Sequence, residues 1–284
     1  MEIQKLNQKD FPLQLLEIPE PPKELWATGM LPSPSSTLLT VVGARKHSSY
    51  GKESCESLIA GLRGYDITIV SGLALGIDAL AHRSALRAGL QTLAVPGSGL
   101  DERVLYPRTN IGLAREIVAG GGGLLSEFAP DTPAAPWTFP MRNRIMAGLA
   151  KATLVIEAEK RSGTLITSRL ATDYNRDVFA VPGSIFSPLS AGPNMLITLG
   201  ATPIHESKDI LLALGFHILE KETEEKDYSH LNDREQEVMK FLSTEKLRDE
   251  LFAELNLSAS EGNVLLMKME IGLIMDSPLG IRRA

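Results

Sequence analysis

The sequence has one cysteine, few aromatic residues and no long apolar run. Cys55 has no second cysteine with which to form an internal disulfide, which fits a reducing cytoplasm. No apolar stretch reaches the roughly 20 residues of a transmembrane helix, so we expect no membrane partner. The N-terminus, Met-Glu-Ile-Gln-Lys, lacks the basic and apolar segments of a secretory signal peptide. These absences predict a cytoplasmic protein.

The common catalytic motifs are also missing. The chain contains no His-Glu-x-x-His, Cys-x-x-Cys, Gly-x-Ser-x-Gly or P-loop pattern. His82 falls inside a predicted helix and Asp78 in its first turn, so packing and the helix dipole explain them better than catalysis does. Glu127, Glu157 and Glu159 could cluster, but their spacing requires no metal. We predict no catalytic residue, no cofactor and no metal site.

The net charge of −6 argues at first against a nucleic-acid partner. Residues 221–284 hold nine basic and 14 acidic residues, a net charge of −5, which leaves −1 for residues 1–220. The acidity therefore belongs mainly to the C-terminal tail. A basic groove in the larger part of the chain remains compatible with this composition.

Between Thr37 and Phe216, short apolar runs alternate with helical patterns. The predicted strands are Leu38–Val42, Ile67–Val70, Thr92–Val95, Leu124–Ser126, Leu154–Glu157 and Val178–Val181. The predicted helices lie near 51–62, 76–88, 109–118, 141–150, 164–174 and 207–214. This alternation predicts an α/β fold with a parallel sheet covered by helices on both faces. In such sheets, ligands bind beyond the carboxyl ends of the strands.

Different segments flank this region. Residues 1–36 contain six prolines and predict an extended arm, whose expected apolar anchors are Leu13, Leu15, Leu16, Leu25 and Trp26. Residues 217–231 are rich in charge and predict a linker. Residues 232–284 show three helical patterns and a short hairpin, with Asp233 as the expected first N-cap and Gln236 completing a capping box. We predict domains at 1–36, 37–216, 217–231 and 232–284, the last a winged helix.

Ser71 and Gly72 end a buried strand just before a helix begins. A turn of this kind directs free backbone N–H groups beyond the strand end, which makes an anion site. The turn has no lysine, nucleophile or metal ligand. It therefore predicts a phosphate that is bound rather than cleaved.

Two other segments place polar groups at the same edge. Gly43, Arg45 and Lys46 follow the first strand of this region, although solvated surface charges are an alternative reading. The segment 142–144, Arg-Asn-Arg, lies where a helix begins, and its guanidinium groups suit bidentate phosphate binding. One of its arginines could instead pair with Glu127 or Glu157.

Two more segments complete the predicted phosphate-binding edge. Arg161-Ser162-Gly163-Thr164 begins another helix, where Ser162 or Thr164 could equally serve as an N-cap. Tyr106-Pro107-Arg108 offers an aromatic ring beside a cation, a combination that suits stacking of an unpaired base. A tyrosine is nevertheless more often packed against protein than stacked on a ligand.

In this order, the segments resemble the DNA-processing protein A family (DprA, also called Smf). The resemblance covers about residues 37–215. Its motifs are Gly43-Ala44-Arg45, Ser71-Gly72-Leu73-Ala74, Gly76-Ile77-Asp78, Ala81-His82, Gly99-Leu100-Asp101, Tyr106-Pro107, Ser126-Glu127, Phe139-Pro140, Arg142-Asn143-Arg144-Ile145, Glu157-Ala158, Ser162-Gly163-Thr164-Leu165, Val181-Pro182-Gly183 and Gly200-Ala201.

The resemblance implies an extended Rossmann-like domain that binds single-stranded DNA and forms a homodimer. It implies a role in natural transformation, in which the protein protects incoming strands and loads the RecA recombinase. The residues expected to contact DNA are Gly43, Arg45, Lys46, Ser71, Gly72, Arg108, Phe139, Arg142, Asn143, Arg144, Ser162, Gly163 and Thr164.

Two departures from the family qualify these implications. Many members carry an N-terminal sterile-alpha-motif or helix-hairpin-helix-like domain where this chain has only the arm, so we expect that domain's functions to be absent. The acidic tail argues against duplex binding by the winged helix.

We also expect Arg45→Glu or Arg142→Glu to abolish DNA binding while the fold survives.

The main alternative is a nucleotide-binding or phosphoribohydrolase-like Rossmann enzyme. Such enzymes carry an arginine-rich helix start, which 142–144 resembles, and a Pro-Gly-Gly-x-Gly-Thr-x-x-Glu motif. Here 161–164 replaces the glycine-rich run, and Thr167 lies where the glutamate belongs. Without that carboxylate, acid or base assistance at a glycosidic bond is missing. A regulatory nucleotide-binding module is a third possibility, because it would share the phosphate site.

Overall fold

A computed structural model describes residues 2–218, 231–242, 247–269, 274–277 and 280–283. The chain separates into two compact units, Met1–Ile218 and Leu219–Ala284. Most of the predicted linker, residues 219–230, lies outside the described residues. The two units are therefore considered one at a time.

A nine-stranded sheet forms the centre of the larger unit. Its strands are β1 (Gln4–Lys5), β2 (Trp26–Gly29), β3 (Thr37–Val42), β4 (Ile67–Ser71), β5 (Thr92–Ala94), β6 (Gly123–Ser126), β7 (Ala152–Val155), β8 (Asp177–Ala180) and β9 (Thr202–Pro203). They are ordered β1-β2-β6-β5-β4-β3-β7-β8-β9. β3 to β9 pair in parallel, whereas β1 and β2 are antiparallel to their neighbours.

The chain order reverses direction at β3. Strands β4, β5 and β6 extend the sheet on one side of β3, and β7, β8 and β9 extend it on the other. Register pairs Thr40 with Val70 on β4 and Val42 with Val155 on β7. Such a reversal separates the connections that follow the two central strands and opens a crevice beyond their carboxyl ends.

Eight helices accompany the sheet in this unit. They are α1 (Leu13–Leu16), α2 (Ser49–Ala60), α3 (Ile77–Ala88), α4 (Ile111–Ala119), α5 (Thr138–Leu149), α6 (Thr164–Asp173), α7 (Ala191–Thr198) and α8 (Ser207–Ala213). Helices α2, α3 and α8 share one apolar core with the sheet, and α1 and α5 share a second one. The six predicted strands and six predicted helices are all present, and α1 and α7 were not predicted.

The N-terminal segment is more regular than an extended arm. β2 pairs with β6 and β1 pairs with β2, so this segment closes one edge of the sheet. Leu15 and Leu25 are fully buried, as predicted for anchors, and Trp26 packs partly buried. The prediction is wrong for Leu13 and Leu16, which are 73% and 48% exposed. They lie on the outer side of α1, which sequence periodicity over four residues cannot identify.

The smaller unit contains α9 (Asp233–Phe241), α10 (Arg248–Glu254), α11 (Ala259–Met269), β10 (Ile274–Ser277) and β11 (Gly280–Arg283). The two strands form an antiparallel hairpin. Asn232, rather than the predicted Asp233, caps α9. Its side chain accepts a hydrogen bond from the Glu235 N–H, and the Glu235 carboxylate accepts one from the Asn232 N–H. The capping box is therefore shifted by one residue, because Asn232 and Glu235 satisfy two free N–H groups reciprocally.

The structure bears on two further expectations, the absence of a membrane span and the role of the single cysteine. Among the described residues, no helix combines the length and hydropathy needed to cross a bilayer. Cys55 lies on the inner side of α2 and is fully buried in the core. Burial raises the pKa of its thiol to about 12, so the thiolate needed for nucleophilic chemistry is scarce at neutral pH.

Candidate nucleic-acid interface

A cleft of about 260 Å³ lies beyond the carboxyl ends of β3 and β7, where the strand order reverses. The turn after β3, the start of α6 and one side of α5 line it. These elements bring together eight of the predicted residues: Gly43, Arg45, Phe139, Arg142, Asn143, Ser162, Gly163 and Thr164. The cleft is therefore the site at which most of the sequence predictions converge.

Close packing between turns shapes this cleft. A Cβ at Gly43 would lie 2.6 Å from the Ile77 side chain, so only glycine lets the turn after β3 approach α3 this closely. The Thr164 hydroxyl donates a hydrogen bond to the Gly43 carbonyl at 3.1 Å. The Thr164 N–H donates to the Ser162 hydroxyl at 3.2 Å. The N-cap of α6 is nevertheless Gly163, which has no side-chain capping bond, so the prediction of Ser162 or Thr164 as the N-cap is wrong.

Arg45 is the exposed cation at the mouth of the cleft. Its guanidinium carbon lies 5.5 Å from the centroid of the Phe139 ring, within the range of a cation–π contact. Phe139 in turn contacts Tyr106 edge to face, with centroids 5.8 Å apart. This contact orients Arg45 without using its N–H donors, which remain able to bind an anion.

Arg142 is buried in the wall of the cleft and is only 5% exposed. Its Nη1 donates to the Val95 carbonyl at 2.6 Å, beyond the end of β5. Its buried Nε has no hydrogen-bond partner in the described part of the chain. Burial lowers the pKa of this guanidinium, and the neighbouring Asp78 carboxylate opposes that shift.

The turn after β4 differs from its prediction. The N–H groups of Gly72 and Ala74 donate to Asp78 Oδ2 at 3.2 and 3.4 Å. The Ser71 hydroxyl donates to the Val41 carbonyl at 2.6 Å and is fully buried. The expectation of free backbone N–H groups is therefore wrong at Gly72, and the Ser71 side chain is turned into the sheet. The chain supplies its own anion there, because Asp78 in the first turn of α3 folds back onto the turn.

Asp78 is the main residue that sequence reasoning missed. It is 6% exposed and lines the cleft opposite Arg142. Burial raises the pKa of its carboxyl, while Arg142 and the two backbone N–H groups act in the opposite direction. The signal was present in the sequence, since an aspartate at the second helical position can reach N–H groups of the preceding turn.

Arg144 points away from the cleft. Its guanidinium forms an ion pair with Glu127 and donates to the Glu20 carbonyl of the N-terminal segment at 2.5 Å. The predicted DNA contact at Arg144 is therefore corrected, and the alternative of a pairing with Glu127 is right. Burial raises the pKa of Glu127, and Arg144 opposes this effect.

The two remaining predicted cations lie on the rim. Lys46 is exposed beside Arg45 on the turn after β3. Arg108 is exposed at the start of the 3-10 turn Arg108–Asn110, directly after Tyr106 and Pro107. Tyr106 and Pro107 line a small depression next to the cleft, together with Arg45 and Gly72. Neither Lys46 nor Arg108 lines the cleft itself.

The remaining candidate catalytic groups have structural partners. His82 is fully buried, its Nδ1 lies 2.7 Å from the Thr92 hydroxyl, and burial lowers its pKa to about 3. Glu157 accepts hydrogen bonds from the Ser48 N–H and hydroxyl, at 2.9 and 2.5 Å. No group of three or more His, Cys, Asp and Glu in the described ranges is arranged to hold a metal ion.

Comparison with known proteins shows the family to which the chain belongs. The sequence profile of DNA recombination-mediator protein A matches residues 2–215, three quarters of the chain. The chain belongs to this family. It is 44% identical over 225 residues to protein Smf of Escherichia coli, which covers 77% of this chain and 59% of that protein. It is 39% identical over 206 residues to DNA processing protein DprA of Bacillus subtilis, covering 72% and 68% of the two chains.

Solved structures of family members share the fold. The DprA structure from Streptococcus pneumoniae superimposes with a TM-score of 0.69 at 40% identity and covers 76% of each chain. The Helicobacter pylori DprA structure gives a TM-score of 0.67 at 27% identity, covering 76% of this chain and 98% of that one. The Helicobacter protein binds single-stranded DNA.

Proposed function

We propose that this family member binds single-stranded DNA in the cleft between β3 and β7. The observation that supports this most directly is the exposed Arg45 guanidinium, held over Phe139 at the cleft mouth, with the buried Arg142 behind it. The single-stranded DNA binding of the Helicobacter relative supports the same ligand. Two guanidinium groups and one carboxylate give the cleft a positive balance that suits phosphate.

The proposed contacts divide by chemistry. Arg45, Lys46 and Arg108 would hold phosphates, because each is exposed on the rim. Gly163 leaves open space where a Cβ would project, so a phosphate can approach the backbone at the start of α6. Phe139 would present its ring to a base. The remaining cleft residues proposed to contact DNA are Gly43, Asn143, Ser162 and Thr164, and Arg142 supports them from below.

We propose a binding role rather than an enzymatic one. Thr167, at the position where the phosphoribohydrolase-like enzymes carry glutamate, is buried in the cleft wall. Glu157 is buried, accepts hydrogen bonds from Ser48 and does not line the cleft, so it is not placed to assist acid–base chemistry there.

Family membership supports a proposal for the wider biological role. We propose action in natural transformation and recombination, with protection of incoming strands, loading of RecA and homodimerisation through the larger unit. The smaller unit has the element order of a winged helix, and we propose that fold for residues 232–284. The acidic character of that region favours a protein contact over duplex DNA. Light scattering tests the proposed homodimer, and RecA filament assays on single strands test the proposed loading of RecA.

A salt titration tests the proposed ligand. The intact protein should bind labelled oligo-dT with a log affinity that falls linearly with log salt, with a slope of about −0.7 per neutralised phosphate. Arg45→Glu should weaken binding roughly tenfold or more. Arg83→Glu, the same charge change at an exposed position on α3, is the matched control and should bind normally. Equal affinities for oligo-dT and a mononucleotide would contradict the proposal.

A further inference from the structure

The loop after β8 exposes two large apolar side chains next to each other. Ile185 is 84% exposed and Phe186 is 89% exposed. Their loop follows β8 at the same edge of the sheet as the cleft, because β8 runs parallel to β7 and β3. Burying this apolar surface would be favourable, so the pair is suited to contact a ligand.

This loop is held in place by hydrogen bonds. The Asn194 side chain accepts from the Gly183 N–H at 3.2 Å and donates to the Gly183 carbonyl at 3.0 Å. The Phe186 N–H donates to the Ser184 hydroxyl at 3.2 Å, and the Ser187 N–H donates to the Ser184 carbonyl at 3.0 Å. The backbone that carries Phe186 is therefore ordered before any ligand arrives, which lowers the entropy cost of binding.

Two hydrogen bonds connect this loop with segments that adjoin the cleft. The Tyr50 hydroxyl donates to the Pro182 carbonyl at 2.5 Å, which joins the loop to the start of α2 and hence to the turn that carries Arg45. The Ala158 N–H donates to the Leu189 carbonyl at 2.7 Å, which joins it to the segment leading to α6. Phe186 thus lies on the continuation of the rim, two strands from β3.

The charge around this patch suits a polyanion. The loop from 181 to 190 contains no charged residue. Two adjoining segments, residues 43–53 and 158–163, carry exposed charges. Their exposed carboxylates are Glu53 and Glu159, and their five exposed cations are Arg45, Lys46, Lys52, Lys160 and Arg161. Exposed aromatic rings among cations are the combination that binds single strands, since bases stack on the rings while cations contact the phosphates.

We propose that Phe186 forms a second contact for single-stranded DNA, a platform on which a base stacks after the strand leaves the cleft. Neighbouring strands lie about 4.8 Å apart, so two strands separate this contact from the cleft by a distance that one or two nucleotides can span. The platform therefore extends the binding site along the sheet edge. It rests on the proposed function of the cleft.

Oligonucleotide length separates the two contacts. Anisotropy titrations compare a short strand, the dT dinucleotide, which cannot occupy the cleft and reach Phe186 at the same time, with a longer oligo-dT of about 16 nucleotides, the upper end of single-strand site sizes. Phe186→Ala should weaken binding of the longer strand roughly 5- to 100-fold, which corresponds to the loss of one stacked base. It should leave binding of the short strand unchanged. Phe186→Trp should retain binding of both, and Phe186→Leu should lose as much as alanine because leucine has no π-face.

The controls distinguish failure of the platform from failure of the cleft. Leu13→Ala removes a similarly exposed apolar side chain on α1 and should bind both strands normally. If Phe186→Ala binds the longer strand like the wild type while Arg45→Glu loses both strands, the platform is wrong and the cleft remains. If the wild type binds neither strand, both proposals fail. A lower oligomeric mass of Phe186→Ala with unchanged DNA affinity would assign the patch to a protein partner and overturn the platform.

Discussion

Two glycine-bearing turns lie side by side at the carboxyl edge of the sheet, one after β3 and one after β4. In the turn after β4, Asp78 accepts the N–H groups of Gly72 and Ala74, so the turn is closed by the chain's own carboxylate. In the turn after β3, Arg45 and Lys46 are exposed to solvent. Similar local sequences therefore form an internal contact in one case and a binding rim in the other.

The difference lies in the helix that follows each turn. Helix α3 carries Asp78 at its second position, where the side chain reaches back to the preceding backbone. Helix α2 begins with Ser49 and Tyr50 and is capped by the Ser48 hydroxyl, which accepts from the Gly51 N–H. A glycine turn thus predicts an anion site only when the first helical turn offers no carboxylate of its own.

Removal of Arg142 should have the largest effect. Arg142→Ala leaves the buried Asp78 without its cationic neighbour, and loss of one partner from a buried charged pair costs about 3–5 kcal/mol of unfolding free energy. Urea unfolding measures this change. For the same reason we expect Arg142→Glu to destabilise the fold as well, since a second carboxylate would then face Asp78. A variant as stable as the wild type would show that the turn after β4 is not held by this pair.

Removal of Arg144 should have a smaller effect, and only on stability. Arg144→Ala breaks the partly buried pair with Glu127 and the contact to the Glu20 carbonyl, which should lower the unfolding free energy by about 2–3 kcal/mol. Affinity for oligo-dT should remain within twofold of the wild type. A large loss of affinity with a normal unfolding midpoint would return Arg144 to the DNA interface.

His82 should make stability depend on pH. Its folded pKa of about 3 lies below the usual value of 6.5, so below about pH 6 the unfolded chain binds a proton that the folded protein excludes. Stability should therefore fall with decreasing pH by up to about 1.4 kcal/mol per unit between pH 6 and 3. His82→Asn should remove that part of the slope in urea unfolding at several pH values. An unchanged slope would mean that His82 is protonated in the folded state.

The smallest effect is expected at Lys46, on the turn after β3. Lys46→Ala should weaken oligo-dT binding equally for all base compositions and make the log–log salt slope less negative by about 0.7, the value for one phosphate. Thermal unfolding should be unchanged, because the side chain is exposed. A salt slope identical to that of the wild type would place the phosphates on other cations.

Most of the fold could be predicted from the sequence, because each buried strand is a short apolar run followed by a helical pattern. The elements that escaped prediction, β1, β2, β9, α1 and α7, are short or lie in proline-containing segments where periodicity is weak. At the site, the clustering of residues that follow the strand ends could be predicted, because parallel strands end at the same edge of the sheet. The partners of individual side chains were not, because the pairing of Arg144 with Glu127 and of Asp78 with Gly72 depends on where separate loops meet in space.

The buried single cysteine makes this chain convenient for fluorescence experiments. Cys55 is the only thiol in the sequence, it is shielded from solvent, and its pKa of about 12 leaves almost no reactive thiolate at neutral pH. A maleimide dye should therefore react at a single engineered position, such as Ser49→Cys on the rim, without prior removal of the native cysteine. Energy transfer from such a dye to a labelled oligonucleotide would then report which end of the strand leaves the cleft toward Phe186.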